Sequence, residues 1–307
     1  MTFETTCLIN KELSFTPYDS KWIPMSSRLC VIGATGEGAG KITIYSIAGK
    51  HLELQHETET SSAIRCCTLT GQSRQLATGD FEGQLQVWDT QRLDIPLISF
   101  KAHESIINSI DSINQAKEPQ ELVTGSRDGT VKVWDVRQSE KAILTVQSKT
   151  VKDIWAVVFG WFKGHKVIAV GYEDGDIRLF DVHGSRYLWQ TKVKDGVCSI
   201  DFCDHRLFVS TLSAAYWIDL ETGTTTEIMN SFDTTLWAIR HIPQQSDCFA
   251  IASGNGQFLS FQHPNHKPFN SLTLSKHPII SIDWHKDRKG LFACSSFDQT
   301  IKIGHLH

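Results

Sequence analysis

LVTGSRDGTVKVWD, residues 122–135, is the stretch from which the rest of the chain can be organised. An apolar run enters a Ser-Arg-Asp-Gly turn and leaves as an alternating segment closed by an aromatic residue and an acid. Alternation with period two argues for a half-buried strand, and an Asp-Gly pair suits the positive φ of a tight hairpin. The same sentence is written twice more, as LATGDFEGQLQVWD (76–89) and IAVGYEDGDIRLFD (168–181). Weaker copies follow at LFVSTLSAAYWIDL (207–220), FAIASGNGQFLSFQ (249–262) and LFACSSFDQTIKIG (291–304).

Taken at the position of Trp134, the register runs Tyr45, Trp88, Trp134, Phe180, Ile218, Phe261 and Gly304, at intervals of 43, 46, 46, 38, 43 and 43 residues. Seven units near this period, each with room for four strands, predict an all-β seven-bladed β-propeller. Around the third unit, IINSIDSI (106–113) reads as the innermost strand and ELVTG (121–125) as the second. TVKVWD (130–135) follows as the third and KAILTVQ (141–147) as the outer strand. No helical stripe and no Pro- or Ser-rich linker interrupts the pattern, so residues 1–307 are expected to form a single domain. Only His305, Leu306 and His307 follow Gly304, too few for an outer strand. Residues Thr5 to Ile9 are therefore expected to fill that place, closing the ring and covering its last edge.

Residues 33–41, GATGEGAGK, invite comparison with a phosphate-binding loop. The fit fails on chemistry: Thr35 stands where the first glycine belongs, and Ile42 where a Mg²⁺-binding hydroxyl should follow the lysine. The alternating Ile42-Thr43-Ile44-Tyr45 begins a strand, whereas phosphates need a helix N-terminus. The segment is expected to be a hairpin turn, with Lys41 exposed in it.

The 307 residues carry a net charge of −4 and are 40% apolar. There is no basic block of the kind nucleic acid demands, and no apolar run near the ~18 residues of a membrane span. The first fifteen residues, MTFETTCLINKELSF, lack an apolar core with a cleavage site. With no CxxC pair among the eight cysteines and no N-x-S/T sequon, free thiols in a cytoplasmic protein are expected. No cofactor or metal is expected: His263, His266, His305 and His307 have no ligand cluster around them.

His103, Thr124, Asp128 and Trp134 form a catalytic-looking alphabet, but their offsets suit a buried chain from indole to Thr to His to Asp that locks one blade. The chain is incomplete elsewhere. Leu212 replaces the turn acid in the fifth unit, and Gly304 the aromatic in the seventh, so those blades are expected to be less rigid. The functional expectation rests on one rim. Tyr18, Arg65, Asn108, Trp155, Cys198, Trp237 and Ile280 begin the innermost strands, and Phe81, Arg127, Glu173, Gly254 and Phe297 sit in the tight turns. Tyr18, Arg65, Phe81, Arg127, Trp155, Trp237 and Phe297 together have the composition of a protein-binding hot spot. Packing of Trp155 and Trp237 between blades is the alternative.

In order and spacing, LATGDFEGQLQVWD, LVTGSRDGTVKVWDVRQ, GYEDGDIRLFD, GVCSIDF (196–202), SSFDQTIKI (295–303) and SKWIP (20–24) resemble the WD-repeat proteins of the Monad family of axonemal dynein assembly factors. The resemblance spans nearly the whole chain, departing at the fifth unit (LSAAYWIDL) and at a short sixth-to-seventh connection. It implies a non-enzymatic cytoplasmic scaffold, a monomer within a larger complex. Implied partners are a co-chaperone complex of RuvB-like ATPases and prefoldin-like subunits, and axonemal dynein heavy chains. A second reading comes from Trp134-Asp135-Val136-Arg137, which resembles the docking signature of substrate receptors of cullin-type ubiquitin ligases. The next unit reads FDVH, so its arginine is not repeated.

Overall fold

The computed structural model describes residues 4–70, 75–113, 120–137, 140–148, 151–230, 233–265 and 267–307. Among them lie seven four-stranded antiparallel sheets and no helix. The sheets are the blades of a propeller. The third blade runs Ile107–Ser112, Glu121–Ser126, Thr130–Asp135 and Leu144–Gln147 from the axis outward, matching the strands expected there.

Second strands are buried on both faces, as in Glu121–Ser126. Outer strands alternate or face solvent, as in His51–Thr60. Neighbouring blades share an apolar core. The third meets the fourth through Val123, Val131 and Val133 on one side and Val157, Ile168 and Val170 on the other. Six further clusters occupy the remaining seams, so the hydrophobic stabilisation is spread round the ring.

The N-terminal strand Thr5–Glu12 pairs antiparallel with Thr300–Leu306, the third strand of the last blade. The ring is closed as the sequence indicated. Ile9 and Leu13 then join Phe15, Trp22 and Leu29 of the first blade and Ile301 and Ile303 of the last in one seam. Asp283 adds a polar latch across it, accepting a 2.7 Å bond from the Trp22 backbone N–H.

The glycine-rich segment is a turn, but a shorter one than expected. Thr35 N–H donates to the Ala39 carbonyl at 2.8 Å, and Gly38 adopts φ 87°. The ladder resumes at Gly40, so Lys41 lies on a strand, contrary to its expected exposure. Its side chain is 12% exposed, with Nζ 3.0 Å from Glu57 and 3.1 Å from Glu59 on the outer strand. The reason is register: Lys41 stands opposite Glu59 in a regular pair, with Glu57 two residues along the same face.

Gly304 leaves no hole where other blades carry an aromatic ring. Its cross-strand partner Phe292 covers the space, and a Cβ on Gly304 would lie 2.2 Å from that ring. Phe292 stacks on Phe258 at 4.2 Å. In the fifth blade Leu212 is exposed, and the acid comes from before the inner strand: Ser213 Oγ donates to Asp195.

Candidate functional site

Each innermost strand breaks register after its first residue, or after its second in the first blade. The breaks fall at Pro17/Asp19, Ile64/Cys66, Ile107/Ser109, Ile154/Ala156, Val197/Ser199, Leu236/Ala238 and Ile279/Ser281. A bulge leaves one residue unpaired and re-aims its side chain. The bulged residues are Tyr18, Arg65, Asn108, Trp155, Cys198, Trp237 and Ile280, and all line the axial cavity of about 590 Å³. This repeated distortion turns a spacing in the sequence into a ring at one end of the channel.

Four of the rim aromatics touch. Tyr18 and Phe81 have ring centroids 5.6 Å apart, and Tyr18 meets Phe297 edge-on at 6.1 Å. Phe297 meets Trp237 at 6.3 Å. The result is an arc across four adjacent blades in favourable tilted geometries. The backbone N–H of Phe81 donates to the carbonyl of Ala63, just before the innermost strand that carries Arg65.

Trp155 stands apart from the arc. Its ring lies over Gly196, where a Cβ would approach to 2.5 Å, and its indole is hydrogen-bonded to Asp153. Arg127 is exposed, 3.7 Å from Asp153. Asn108 Nδ2 donates to the same carboxylate at 2.7 Å. Among the described residues, Arg65 makes no ion pair or side-chain hydrogen bond, nor does the Tyr18 hydroxyl or the Trp237 indole.

Deeper in the channel lies a second ring, three residues beyond each bulge: Lys21, Thr68, Asp111, Val158, Asp201, Arg240 and Asp283. The sequence carried a signal for it in the repeated Ser-Ile-Asp at 109–111, 199–201 and 281–283. It is easily missed because carboxylates for chemistry are expected in turns. These acids are framework. Asp111 accepts the Phe159 N–H at 2.8 Å, and Asp201 accepts both the backbone N–H of His241 at 2.5 Å and its Nδ1 at 2.6 Å. Each bond joins a blade to the next.

Burial raises the pKa of Asp111 and of Asp283. Burial also pushes Asp201 up, but the His241 charge and hydrogen bond prevail and hold it below the usual range. Asp201 in turn raises the pKa of His241. Burial pulls Lys21 down, and Asp19 and Asp283 more than reverse it.

In the third blade Trp134 Nε1 donates to Thr124 Oγ1 at 2.9 Å, and Thr124 Oγ1 lies 2.7 Å from His103 Nε2. His103 Nδ1 lies 3.0 Å from Asp128. Burial lowers the pKa of His103, so a neutral ring protonated on Nδ1 lets every donor point one way, from indole to carboxylate. Arg137 is folded back on its own repeat, its guanidinium gripping Asp135 at 2.9 and 2.7 Å.

Among the described residues no three metal-ligating side chains cluster. All eight cysteines are free thiols. His266 lies outside the described residues.

The family described as WD domain, G-beta repeat matches residues 52–89, 95–135 and 269–303. The anaphase-promoting complex subunit 4 WD40 domain matches residues 120–205. Over 96% of this chain and 94% of their own length, three proteins named Dynein axonemal assembly factor 10 are similar to it. They come from Danio rerio at 36% identity, Homo sapiens at 35% and Chlamydomonas reinhardtii at 30%.

Proposed function

The chain belongs to the dynein axonemal assembly factor 10 family of WD-repeat propellers, and from that membership we propose that it is a non-enzymatic, cytoplasmic scaffold for assembling axonemal dynein. It works as a monomer inside a larger complex. Its partners in this reading are RuvB-like ATPases with prefoldin-like subunits, and dynein heavy chains as clients.

The observation that carries the proposal is the extent of the similarity. It covers 96% of the chain, far beyond the three repeats matched by the general repeat family. Physical chemistry supports a binding role. The polar residues that resemble catalytic sets are committed to bonds within and between blades, while the rim offers large aromatic rings and two arginines. Such groups concentrate binding energy when a partner excludes water from them. The proposed face comprises Tyr18, Arg65, Phe81, Arg127, Trp155, Trp237 and Phe297.

Affinity purification of the tagged chain from ciliated cells tests this. Dynein heavy chains with RuvB-like and prefoldin-like subunits are expected in the eluate. Recovery of a cullin ligase adaptor without them overturns the scaffold reading in favour of a ligase receptor.

A further inference from the structure

We propose that the corner of the channel mouth around Arg65 receives a carboxylate from a partner segment, whose adjoining aromatic or aliphatic side chain lies on the Phe81–Tyr18–Phe297–Trp237 arc. This deepens the protein-binding reading of the rim and rests on it.

The inference comes from which polar groups at the mouth lack partners. The carboxylates on and just before the innermost strands are occupied, and Glu173 in its turn accepts from the Asp153 N–H. Asp19 accepts from Lys21 at 2.9 Å and from the Ser20 N–H at 2.8 Å. Asp153 accepts from Asn108 at 2.7 Å and from the Trp155 indole, and Asp195 accepts from Ser213. Among the described residues whose side chains line the cavity at this end, the groups left over are donors: the Arg65 guanidinium, the Tyr18 hydroxyl and the Trp237 indole N–H. Tyr18 and Trp237 belong to the arc, and Arg65 occupies the equivalent bulge to Tyr18 in the neighbouring blade. All three line the same cavity of about 590 Å³. Burial holds the Cys198 thiol up at about 12 even though the Arg65 charge pulls it down. Cys198 belongs to the fifth blade and Arg65 to the second, so the positive charge is felt across the mouth.

A surplus of donors around an uncompensated cation calls for an anionic acceptor. A carboxylate fits better than a phosphate, because one guanidinium matches a carboxylate with two parallel bonds. A dianionic phosphate beside Asp19, Asp153 and Asp195 would need further free cations. A cationic side chain over the aromatic faces is the competing chemistry. It is disfavoured here because Arg65 would repel it, and because the rings are already engaged edge to face with one another.

The test uses the full chain against a randomised peptide library that includes phosphoserine. Wild-type protein is expected to enrich Asp or Glu next to Phe, Tyr, Trp or Leu. Fluorescence anisotropy with the best enriched peptide should then show about a tenfold or greater loss of affinity on changing its acid to the amide, and again with Arg65→Gln. Arg65→Gln should melt like wild type, since the side chain holds nothing in the fold. Enrichment of Lys, Arg or phosphoserine overturns the proposal, as does absence of enrichment or unchanged affinity in Arg65→Gln. These results are separable from failure of the scaffold reading. If dynein subunits are still captured by the chain while the mouth selects no acidic peptide, the partners use another surface.

Discussion

Replacing Asp128 by alanine removes the end of a chain of four buried donors and acceptors, and the structure sets the size of the effect. Asp128 Oδ2 takes bonds from His103 Nδ1 at 3.0 Å and from the Glu104 N–H at 3.1 Å, while Oδ1 takes the Thr130 N–H at 2.9 Å and its hydroxyl at 2.6 Å. His103 is 1% exposed and cannot turn to water. Thr130 Oγ1 also lies 3.0 Å from His103 Nδ1 and can take over part of the bond. An unsatisfied buried donor costs about 1–3 kcal/mol, and the lost turn bonds add about 1 kcal/mol, giving about 2–4 kcal/mol in all. At about 2.1 cal/mol/K per residue over 307 residues, that lowers Tm by about 3–6 °C in a thermal melt at pH 7.

The pH dependence of that gap has a defined sign. Burial alone would raise the Asp128 pKa, but hydrogen bonds from His103 and Thr130 hold it well below the usual carboxylate range. A depressed pKa contributes stability that is complete above the unfolded value of about 4 and is lost as pH falls toward the folded value. The difference between wild type and Asp128→Ala should therefore be constant near neutrality and narrow below about pH 4. Asp128→Asn, which keeps the shape but turns an NH₂ toward a donor, should fall between the two. A melting temperature for Asp128→Ala within about 1 °C of wild type at pH 7 would refute the reasoning, since it leaves room for only about 0.6 kcal/mol.

Deleting residues 1–12 strips the outer strand from the last blade and removes Ile9 from the closing seam. That protein should melt well below Asp128→Ala or aggregate, and an intact melting temperature would contradict closure by the N-terminal strand. Lys41→Ala should cost no more than about 1 kcal/mol, because the glutamates it pairs with are half-exposed. Calorimetry with ATP–Mg²⁺ should show no binding to either protein, and saturable binding lost in the variant would restore the phosphate-loop reading. Trp237→Ala should weaken capture of the chaperone-linked partners or dynein client by about 2 kcal/mol while the fold persists. Trp155→Ala should weaken capture by a similar amount and also lower Tm, because its ring covers Gly196 and its indole bonds Asp153. Arg137→Ala should leave capture intact. Two folded tryptophan variants that bind normally would move the functional face elsewhere.

The architecture was legible because a propeller is written locally and repeatedly. Strand, turn and strand recur every 38 to 46 residues, and the positions of Trp134, Asp128 and the turn glycine follow from period-two alternation. The expected closing strand is also found, Thr5–Glu12 pairing with Thr300–Leu306. Lys41 lies on the strand and not in the turn because a turn ends where cross-strand bonding resumes, here at Gly40, which composition does not reveal.

Tertiary structure decided what happens between units. That Tyr18 touches Phe297, that Asp283 latches onto Trp22, and that Phe292 fills the space over Gly304 are contacts set by blade twist and by bulges. The first two join opposite ends of the chain, and no local pattern encodes them. The same holds for the unpartnered Arg65. An arginine at a strand start says nothing of its neighbours until the ring closes and shows which acids have already been taken.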